Sequence, residues 1–201
     1  MDIVLATKNR NKIGEIKKIL RAMDTDYRIY TFDDFPAYQD VEEDGDTFEA
    51  NAVKKALHVS AHAGMPAIAD DSGLEVDALN GAPGVLSARH AGESANDSAN
   101  LEKLLSEMKD IPFEKRSARF VCCIALAFSG GVKTFSGYVR GRIGIEPKGK
   151  KGFGYDPVFY PDGFDRTFAE MSDEEKNTIS HRGIALKELQ QYFKGRTQGE
   201  N

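Results

Sequence analysis

A polar segment near the start of the chain contains residue types that bind phosphate. Its members are Thr7, Lys8, Asn9, Arg10, Asn11 and Lys12. They follow an apolar run at residues 2–6 that is typical of a buried strand, and they lead into a segment at 12–23 with apolar residues at helical spacing. A turn from a strand into a helix presents unpaired N–H groups and partial positive charge, which favour phosphate. The glycines of a Walker loop are missing, and a solvated basic turn is the alternative interpretation.

Two adjacent aspartates could hold a metal ion. Asp70 and Asp71 follow the apolar residues 67–69, so we predict that they stand at the end of a short strand. Two carboxylates in that position are costly unless a cation or hydrogen bonds compensate them. Hard oxygen ligands suit Mg²⁺, and the acidic loop that contains Glu42 and Glu43 could supply another. The alternative is a turn in which the aspartates accept hydrogen bonds from backbone amides.

The C-terminal part of the chain carries a glycine-flanked aromatic loop and a histidine–arginine step. Phe153 or Tyr155 could stack on a base, because glycines let the backbone approach a ligand closely. Lys176, His181 and Arg182 stand near predicted helix starts and could donate to a carbonyl or phosphate oxygen. The alternatives are core packing for the aromatic residues and a solvated helix end for the histidine–arginine step.

Two histidines have the spacing of a zinc site on a helix. His58 and His62 are four residues apart, but Val59 replaces the glutamate of the usual motif and no third ligand is evident. We therefore interpret both as ordinary surface or core residues.

Strand and helix patterns alternate along the chain and must position these groups. Strands are predicted at 2–6, 27–32, 67–69, 74–79, 117–128 and 132–139. The residues Ser129, Gly130 and Gly131 predict a hairpin between the last two. Because helices and strands are interleaved, with both crossover and hairpin connections, we predict an α/β protein with a mixed twisted sheet flanked by helices.

Capping residues predict where several helices begin and end. Two pairs have the spacing of a capping box, Asp46 with Glu49 and Ser172 with Glu175. Gly64 would end the first of these helices, and Asp97 or Ser98 could cap another. A last helix is predicted around 184–193, and the polar residues 196–201 are predicted to form a tail.

The composition is that of an ordinary globular protein. The chain has 201 residues, of which 40% are hydrophobic and 29% charged, and we predict one domain over residues 1–195. The net charge of -5 argues against a general nucleic-acid binder, which would carry a basic face. We therefore expect a small-molecule ligand and no nucleic-acid partner.

The cysteines and the hydropathy pattern indicate in which cellular compartment the protein is expected. Cys122 and Cys123 are adjacent in an apolar run, where a mutual disulfide would be strained and burial as thiols is favoured. Nothing approaches the ~18 consecutive apolar residues of a membrane span. We predict a soluble, cytoplasmic protein with no membrane association.

Six segments in order resemble the inosine triphosphate pyrophosphatase family, also called non-canonical purine NTP pyrophosphatases. The segments are Thr7-x-Asn9-x-x-Lys12, Ala69-Asp-Asp-Ser-Gly-Leu74, Gly81-Ala-Pro-Gly84, Ser87-Ala-Arg89, Gly152-Phe-Gly-Tyr-Asp-Pro157 and Ser180-His-Arg-Gly183. The resemblance covers nearly the whole chain. It implies a homodimer whose long mixed sheet spans two lobes with a central cleft. It also implies Mg²⁺-dependent hydrolysis of ITP, dITP and XTP to the monophosphate and pyrophosphate, which cleanses nucleotide pools.

The resemblance also implies a role for each matching residue. Asp71 would be the general base and a Mg²⁺ ligand, with Glu42 or Glu43 as the second ligand. Lys8 stands where glycine is common in the first motif. The implied substrate contacts are Thr7, Lys8, Asn9, Arg10, Asn11, Lys12, Lys55, Ser72, Phe153, Gly154, Tyr155, Asp156, Lys176, His181 and Arg182. Among these, Phe153 would stack on the purine.

Two rival functions remain open at this point. One is a related pyrophosphatase that acts on modified pyrimidines or on canonical nucleotides, with a different base pocket. The other is a nucleotide sensor that binds without turnover, although a pure binder has little need of Asp71 and its acidic neighbours.

Overall fold

A computed structural model of the chain describes residues 2–21, 28–35 and 41–198. Within them, six strands form one sheet in the order β2-β1-β3-β4-β5-β6. The strands are β1 (Asp2–Leu5), β2 (Arg28–Tyr30), β3 (Ala67–Val76), β4 (Ser117–Phe128), β5 (Gly131–Ile143) and β6 (Phe159–Pro161). β1 pairs in parallel with both β2 and β3, whereas β5 and β6 are antiparallel. The predicted α/β class with a mixed sheet is confirmed.

The same residues contain five α-helices. They are α1 (Arg10–Arg21), α2 (Phe48–Ala63), α3 (Asp97–Glu107), α4 (Asp173–Ile179) and α5 (His181–Gln198). The predicted helix end at Met23 and strand start at Tyr27 lie outside the described residues, as do residues 199–201 of the predicted tail. α5 continues to Gln198 and so extends into that tail. No helix in the described ranges is long and apolar enough to cross a membrane.

Several predicted boundaries are confirmed. The Ser172 hydroxyl accepts from the Glu175 N–H, and the Glu175 carboxylate accepts from the Ser172 N–H, so α4 begins with the predicted capping box. Gly64 ends α2 in a left-handed conformation with φ 66°. β4 and β5 are hydrogen-bonded neighbours joined by only two residues. Because so short a connection can join only antiparallel strands, the two form the predicted hairpin.

Two predicted helix caps are wrong by one or two residues. α2 is capped by Thr47, whose hydroxyl accepts from the Ala50 N–H, rather than by Asp46. α3 is capped by Asn96, whose side chain accepts from the Ala99 N–H, rather than by Asp97 or Ser98. In both cases a neighbouring cap former occupies the extended position that precedes the helix, and the sequence offers adjacent residues of almost equal capping strength.

The predicted end of a strand at the two aspartates is also wrong. β3 is continuous from Ala67 to Val76, so Asp70 and Asp71 lie in its middle, and Ser72 and Gly73 extend it instead of turning. This explains why the aspartates need specific partners, because the centre of a strand offers them no turn amides to accept from.

The chain separates into two compact units. The first comprises Met1–Asp71, Cys122–Gly137 and Arg182–Asn201, and the second Ser72–Val121 and Tyr138–His181. Each unit has its own apolar core among the described residues. The core of the first unit includes Ile3, Leu5, Ile16, Leu20, Ile68, Ile124, Leu186 and Leu189. The core of the second includes Leu74, Val76, Leu104, Met108, Phe120, Val158, Phe159 and Phe168. The single domain over residues 1–195 and its central cleft remain predictions.

Cys122 and Cys123 are free thiols and are buried on β4, as predicted. Burial raises the pKa of Cys123 to about 11, so this thiol stays protonated near neutral pH.

Candidate active site

The polar segment after β1 forms the start of α1. The Asn9 side-chain oxygen accepts from the N–H groups of Asn11 and Lys12 at 3.0 and 3.1 Å, and Thr7 Oγ1 accepts from the Asn9 N–H at 3.2 Å. This cap makes α1 begin at Arg10, two positions before the predicted start at 12. Lys8, Asn9, Arg10 and Asn11 are exposed, so their side chains are accessible to a ligand.

A pocket of about 330 Å³ lies beside this helix start in the first unit. Its lining residues are Thr7, Lys8, Arg10, Ile13, Thr31, Phe32, Asp33 and Phe35. The Lys8 ammonium lies 5.8 Å from the centroid of the Phe32 ring. Two cationic side chains and two hydroxyl groups in one concave site suit a phosphorylated ligand.

Asp70 is the centre of a buried charge network in the first unit. Its Oδ2 atom lies 3.1 Å from Lys12 Nζ and accepts from Arg182 Nη2 at 3.1 Å and Nε at 3.3 Å. Burial alone would raise the pKa of Asp70, but the charges of Lys12 and Arg182 outweigh it and hold that pKa well below its usual range. Asp70 is therefore ionised near neutral pH and holds two of the predicted substrate-binding cations.

Arg182 is enclosed by carboxylates. Its Nη1 atom donates to Glu15 of α1, and its side chain is 2% exposed. Burial would lower the pKa of Arg182, but the charges of Asp70 and Glu15 raise it above its ordinary value. A solvated helix end is therefore excluded for this residue, whereas its contact with a purine remains a prediction.

Lys55 of α2 joins the acidic loop to β3. Its ammonium donates to Glu43 Oε1 at 3.1 Å, to the Asp70 carbonyl oxygen at 2.7 Å and to Asp71 Oδ1 at 3.3 Å. Burial would lower the pKa of Lys55, but the neighbouring carboxylates outweigh it and raise that pKa. Lys55 therefore stays charged and brings the carboxylates of Glu43 and Asp71 to a common cation.

Asp71 is a buried carboxylate with a partner on each oxygen. Lys55 donates to Oδ1, and the Asn51 amide donates to Oδ2 at 3.2 Å. Burial raises the pKa of Asp71 above its ordinary value, although the charges of Lys55 and Lys12 oppose the shift. A carboxylate with a raised pKa is a stronger base than an exposed one, which suits it to take a proton from water.

The two glutamates of the acidic loop differ in position. Glu43 is half-buried against Lys55, whereas Glu42 is exposed. Among the described residues, no three His, Cys, Asp or Glu side chains form a metal-binding group. The carboxylates of Asp71 and Glu43 are nevertheless a donor set that fits Mg²⁺, because this ion takes one or two carboxylates and completes its shell with water and substrate phosphates. His58 and His62 are exposed on α2.

The predicted aromatic wall lies in the second unit and is built around a buried ion pair. Asp156 Oδ2 accepts from Lys176 Nζ at 2.6 Å and from the Phe153 N–H at 2.9 Å. The Lys176 ammonium lies 5.0 Å from the centroid of the Phe153 ring. The half-buried Phe153 is therefore held by its backbone and by a cation–π contact on one face.

Two further contacts hold this loop in place. The Gly154 N–H donates to Asp97 Oδ2 at 2.8 Å, and Gly154 has φ +60°, which a side chain would disfavour. The Tyr155 hydroxyl donates to the Ser87 carbonyl oxygen at 2.9 Å, and Tyr155 is buried in the core of the second unit. Core packing is therefore the correct interpretation for Tyr155, whereas stacking of Phe153 on a base remains a prediction.

His181 and Ser72 complete the predicted set in the second unit. His181 is buried, and its ring is stacked on Phe120 with a centroid distance of 4.7 Å and an interplanar angle of 9°. Ser72 is half-buried on β3, next to Asp71 in the chain. The structure thus fixes the orientation of the His181 ring by packing, and a solvated helix end is excluded here as well.

Sequence reasoning missed three residues that hold the site together, namely Glu15, Asn51 and Asp97. Asn51 had a detectable signal, because it stands four residues before Lys55 and faces the same side of α2. Glu15 and Asp97 had none, because helix positions outside the apolar stripe routinely carry carboxylates.

The fold is that of an α/β protein, and these groups are of the types that bind phosphate, metal ions and planar rings. Comparison with known proteins makes this more specific. The model of the Ham1 family matches residues 3–192, so the chain belongs to the Ham1 family. The predicted family resemblance is confirmed.

Several known proteins are similar in sequence to this chain over nearly their full length. A dITP/XTP pyrophosphatase of Geobacter sulfurreducens is 50% identical over 192 residues, which cover 95% of this chain and 96% of the relative. One of Desulforamulus reducens is 51% identical over 188 residues, covering 93% and 92%. The solved structure of the Staphylococcus aureus Ham1 protein is 43% identical with a TM-score of 0.87, covering 98% of this chain and all of that one.

Proposed function

We propose that this protein hydrolyses dITP, XTP and ITP to the nucleoside monophosphate and pyrophosphate. The observation that carries the proposal is the 50% identity, over 95% of the chain, to a dITP/XTP pyrophosphatase. The buried carboxylates, the basic helix start and the aromatic wall supply groups for each part of such a substrate.

Asp71 is the proposed general base. Its carboxylate is fixed by Lys55 and Asn51, and its raised pKa increases its basicity toward an attacking water. Taking the proton as the water attacks a phosphorus atom avoids formation of free hydroxide. Most of the remaining catalysis in phosphoryl transfer is placement and charge stabilisation, which a rigid cluster provides.

Mg²⁺ is the proposed cofactor, held by Asp71 and by Glu43 rather than the exposed Glu42. When bound, the ion supplies charge stabilisation at the triphosphate oxygens and acidifies water. Lys55 lies within 3.3 Å of both carboxylates, which lowers their mutual repulsion before any cation arrives.

The triphosphate is proposed to bind at the start of α1. Thr7, Lys8, Asn9, Arg10 and Asn11 supply N–H, hydroxyl, amide and cationic donors, and Lys12 stabilises the pyrophosphate leaving group. Because Lys12 is paired with Asp70, a bound phosphate must compete with a buried carboxylate for this ammonium. That competition disfavours weakly charged ligands such as monophosphates.

The base is proposed to stack on Phe153 and to be read at its edge by Lys176 and His181, with Gly154, Tyr155, Asp156 and Ser72 shaping the wall. Recognition of the 6-oxo group by Arg182 requires one of its N–H groups to turn from Asp70 or Glu15 to the base. A 6-amino group would leave such a donor unpaired, at about 1–3 kcal/mol or roughly 5- to 150-fold per contact. The protein is further proposed to act in the cytoplasm as a homodimer.

Pyrophosphate release tests the substrate class. ITP, XTP, GTP, ATP and dTTP are compared side by side at equal concentrations with Mg²⁺. We expect kcat/KM for ITP and XTP to exceed that for ATP by the discrimination given above, because adenine carries the 6-amino group. We expect dTTP also to be a poorer substrate than ITP and XTP. Preference for dTTP or ATP would assign the protein to pyrimidine or canonical nucleotides instead.

A further inference from the structure

Asn51 of α2 has a buried side-chain amide that makes three hydrogen bonds beside Asp71, the proposed general base. Its Oδ1 atom accepts from the Gly45 N–H at 2.8 Å, and its Nδ2 atom donates to the Gly45 carbonyl oxygen at 3.3 Å and to Asp71 Oδ2 at 3.2 Å. The residue is 1% exposed, so water cannot replace these partners.

The pattern fixes which way the amide points. The Gly45 N–H needs an acceptor, and both remaining partners, the Gly45 carbonyl oxygen and the Asp71 carboxylate, accept. A flipped amide would set its oxygen against the Asp71 carboxylate and its NH₂ against an N–H group. Asn51 therefore presents a donor to Asp71 in a single orientation.

The backbone of the acidic loop packs closely against the Asn51 amide at Gly45. A Cβ atom at Gly45 would lie 2.7 Å from Asn51 Oδ1, so the loop backbone approaches Asn51 more closely than any other residue type would allow. The same loop carries Glu43, which contacts Lys55 at 3.1 Å. Asn51 thus connects the backbone of the loop that holds one candidate metal ligand to the carboxylate of the other.

We propose that Asn51 is a positioning residue for hydrolysis, which sets the rotation of the Asp71 carboxylate and the distance of the acidic loop from it. The inference rests on the proposed function, because it takes Asp71 as the base. Lys55 holds Oδ1 and Asn51 holds Oδ2, so removal of Asn51 leaves the carboxylate free to rotate about one contact. A displacement of this kind costs catalysis rather than substrate binding.

The second unit contains a matched control. Asn100 of α3 is 3% exposed, and its amide accepts from the Ala91 N–H at 2.8 Å and donates to the Ala88 carbonyl oxygen at 3.0 Å. It therefore anchors a loop to a helix as Asn51 does, but none of its hydrogen bonds described here reaches a carboxylate. Comparison of the two asparagines separates the loss of a loop anchor from the loss of the contact with Asp71.

The experiment compares Asn51→Ala, Asn100→Ala, Gly45→Ala and the wild type. We expect Asn51→Ala to lower kcat for ITP by about 10- to 100-fold with KM changed by less than about threefold. Asn51→Ala and Asn100→Ala should lower the melting temperature by similar amounts. The kcat of Asn100→Ala, however, should stay within about twofold of the wild-type value. Gly45→Ala keeps Asn51 but displaces its amide, so kcat should fall here too.

A second readout needs no substrate and no metal. Amide hydrogen exchange of the peptide that contains Gly45 should be faster in Asn51→Ala than in the wild type, and unchanged in Asn100→Ala. Wild-type kcat in Asn51→Ala, or an equal loss of kcat in Asn51→Ala and Asn100→Ala, would overturn the inference. Asp71→Asn separates this result from the proposed function: if it keeps full turnover the base is misassigned, and if it loses turnover while Asn51→Ala does not, the inference about Asn51 alone fails.

Discussion

The two units bury charge in different ways. In the first unit, Asp70 accepts from both Lys12 and Arg182, and Lys55 links Asp71 to the acidic loop, so several carboxylates share several cations. In the second unit, Asp156 and Lys176 form one pair whose cation also faces aromatic rings. Asp70, Lys55 and Arg182 each have two partners of opposite charge, so we expect the first arrangement to rearrange around the proposed phosphate and metal ligands. The second joins one anion to one cation, which suits the proposed wall against a planar, weakly polar base.

The largest expected effect is on the carboxylate proposed as base. Asp71→Asn keeps the size of the side chain and removes its basicity, so we expect turnover of ITP to fall by about 10²- to 10⁴-fold. Binding of ITP should largely persist, because the phosphate and base contacts are unchanged. Steady-state kinetics and calorimetric binding measure the two quantities. Unchanged turnover would remove Asp71 from the mechanism, and tight binding without turnover in the wild type would favour a nucleotide sensor.

The next effect compares the two buried carboxylates directly. Asp70→Asn leaves both Lys12 and Arg182 short of a counter-charge, whereas Asp156→Asn leaves only Lys176. Breaking a buried pair costs about 3–5 kcal/mol of the free energy of unfolding, and we expect Asp70→Asn to lose more than Asp156→Asn. Urea unfolding measures both. A larger loss of unfolding free energy for Asp156→Asn would contradict this expectation. It would show that the remaining carboxylates of the first unit compensate Lys12 and Arg182.

The aromatic wall should affect affinity more than rate. Phe153→Ala removes the proposed stacking surface, which is worth about 1–3 kcal/mol, so KM for ITP should rise about 5- to 150-fold with a small change in kcat. Phe153→Tyr keeps the ring and serves as control. If KM is unchanged in Phe153→Ala, another group carries the base.

The smallest effect concerns stability in acid. The pKa of Asp70 is depressed in the folded state, so its contribution is fully present above the ordinary carboxyl pKa of about 3.9 and is lost as pH falls through the lower folded value. The wild type should therefore lose stability below about pH 5 more steeply than Asp70→Asn, in which this group cannot titrate. Unfolding free energies measured from pH 6 downward test this, and equal slopes would mean that Asp70 does not couple folding to pH.

Features set by interactions between residues close in the sequence were predicted more accurately than features that depend on distant residues. The capping box of Ser172 and Glu175 and the left-handed stop at Gly64 were predictable because each is settled by residues within one helical turn. The caps of α2 and α3 were misplaced because Thr47 and Asn96 compete with adjacent cap formers of similar strength. The break predicted after residue 69 was wrong because polar residues suggested a turn where the sheet continues.

The sequence alone determined the α/β class, the hairpin of β4 and β5, and which residue types could perform phosphate and metal chemistry. Those properties depend on hydrophobic period, turn residues and side-chain chemistry, which are local. Only the tertiary structure decided that Asp70 pairs with Arg182, 112 positions away, that Glu43 rather than Glu42 faces Lys55, and that Asn51 holds Asp71. Such choices depend on which groups are desolvated together, and burial is a property of the folded chain rather than of any segment.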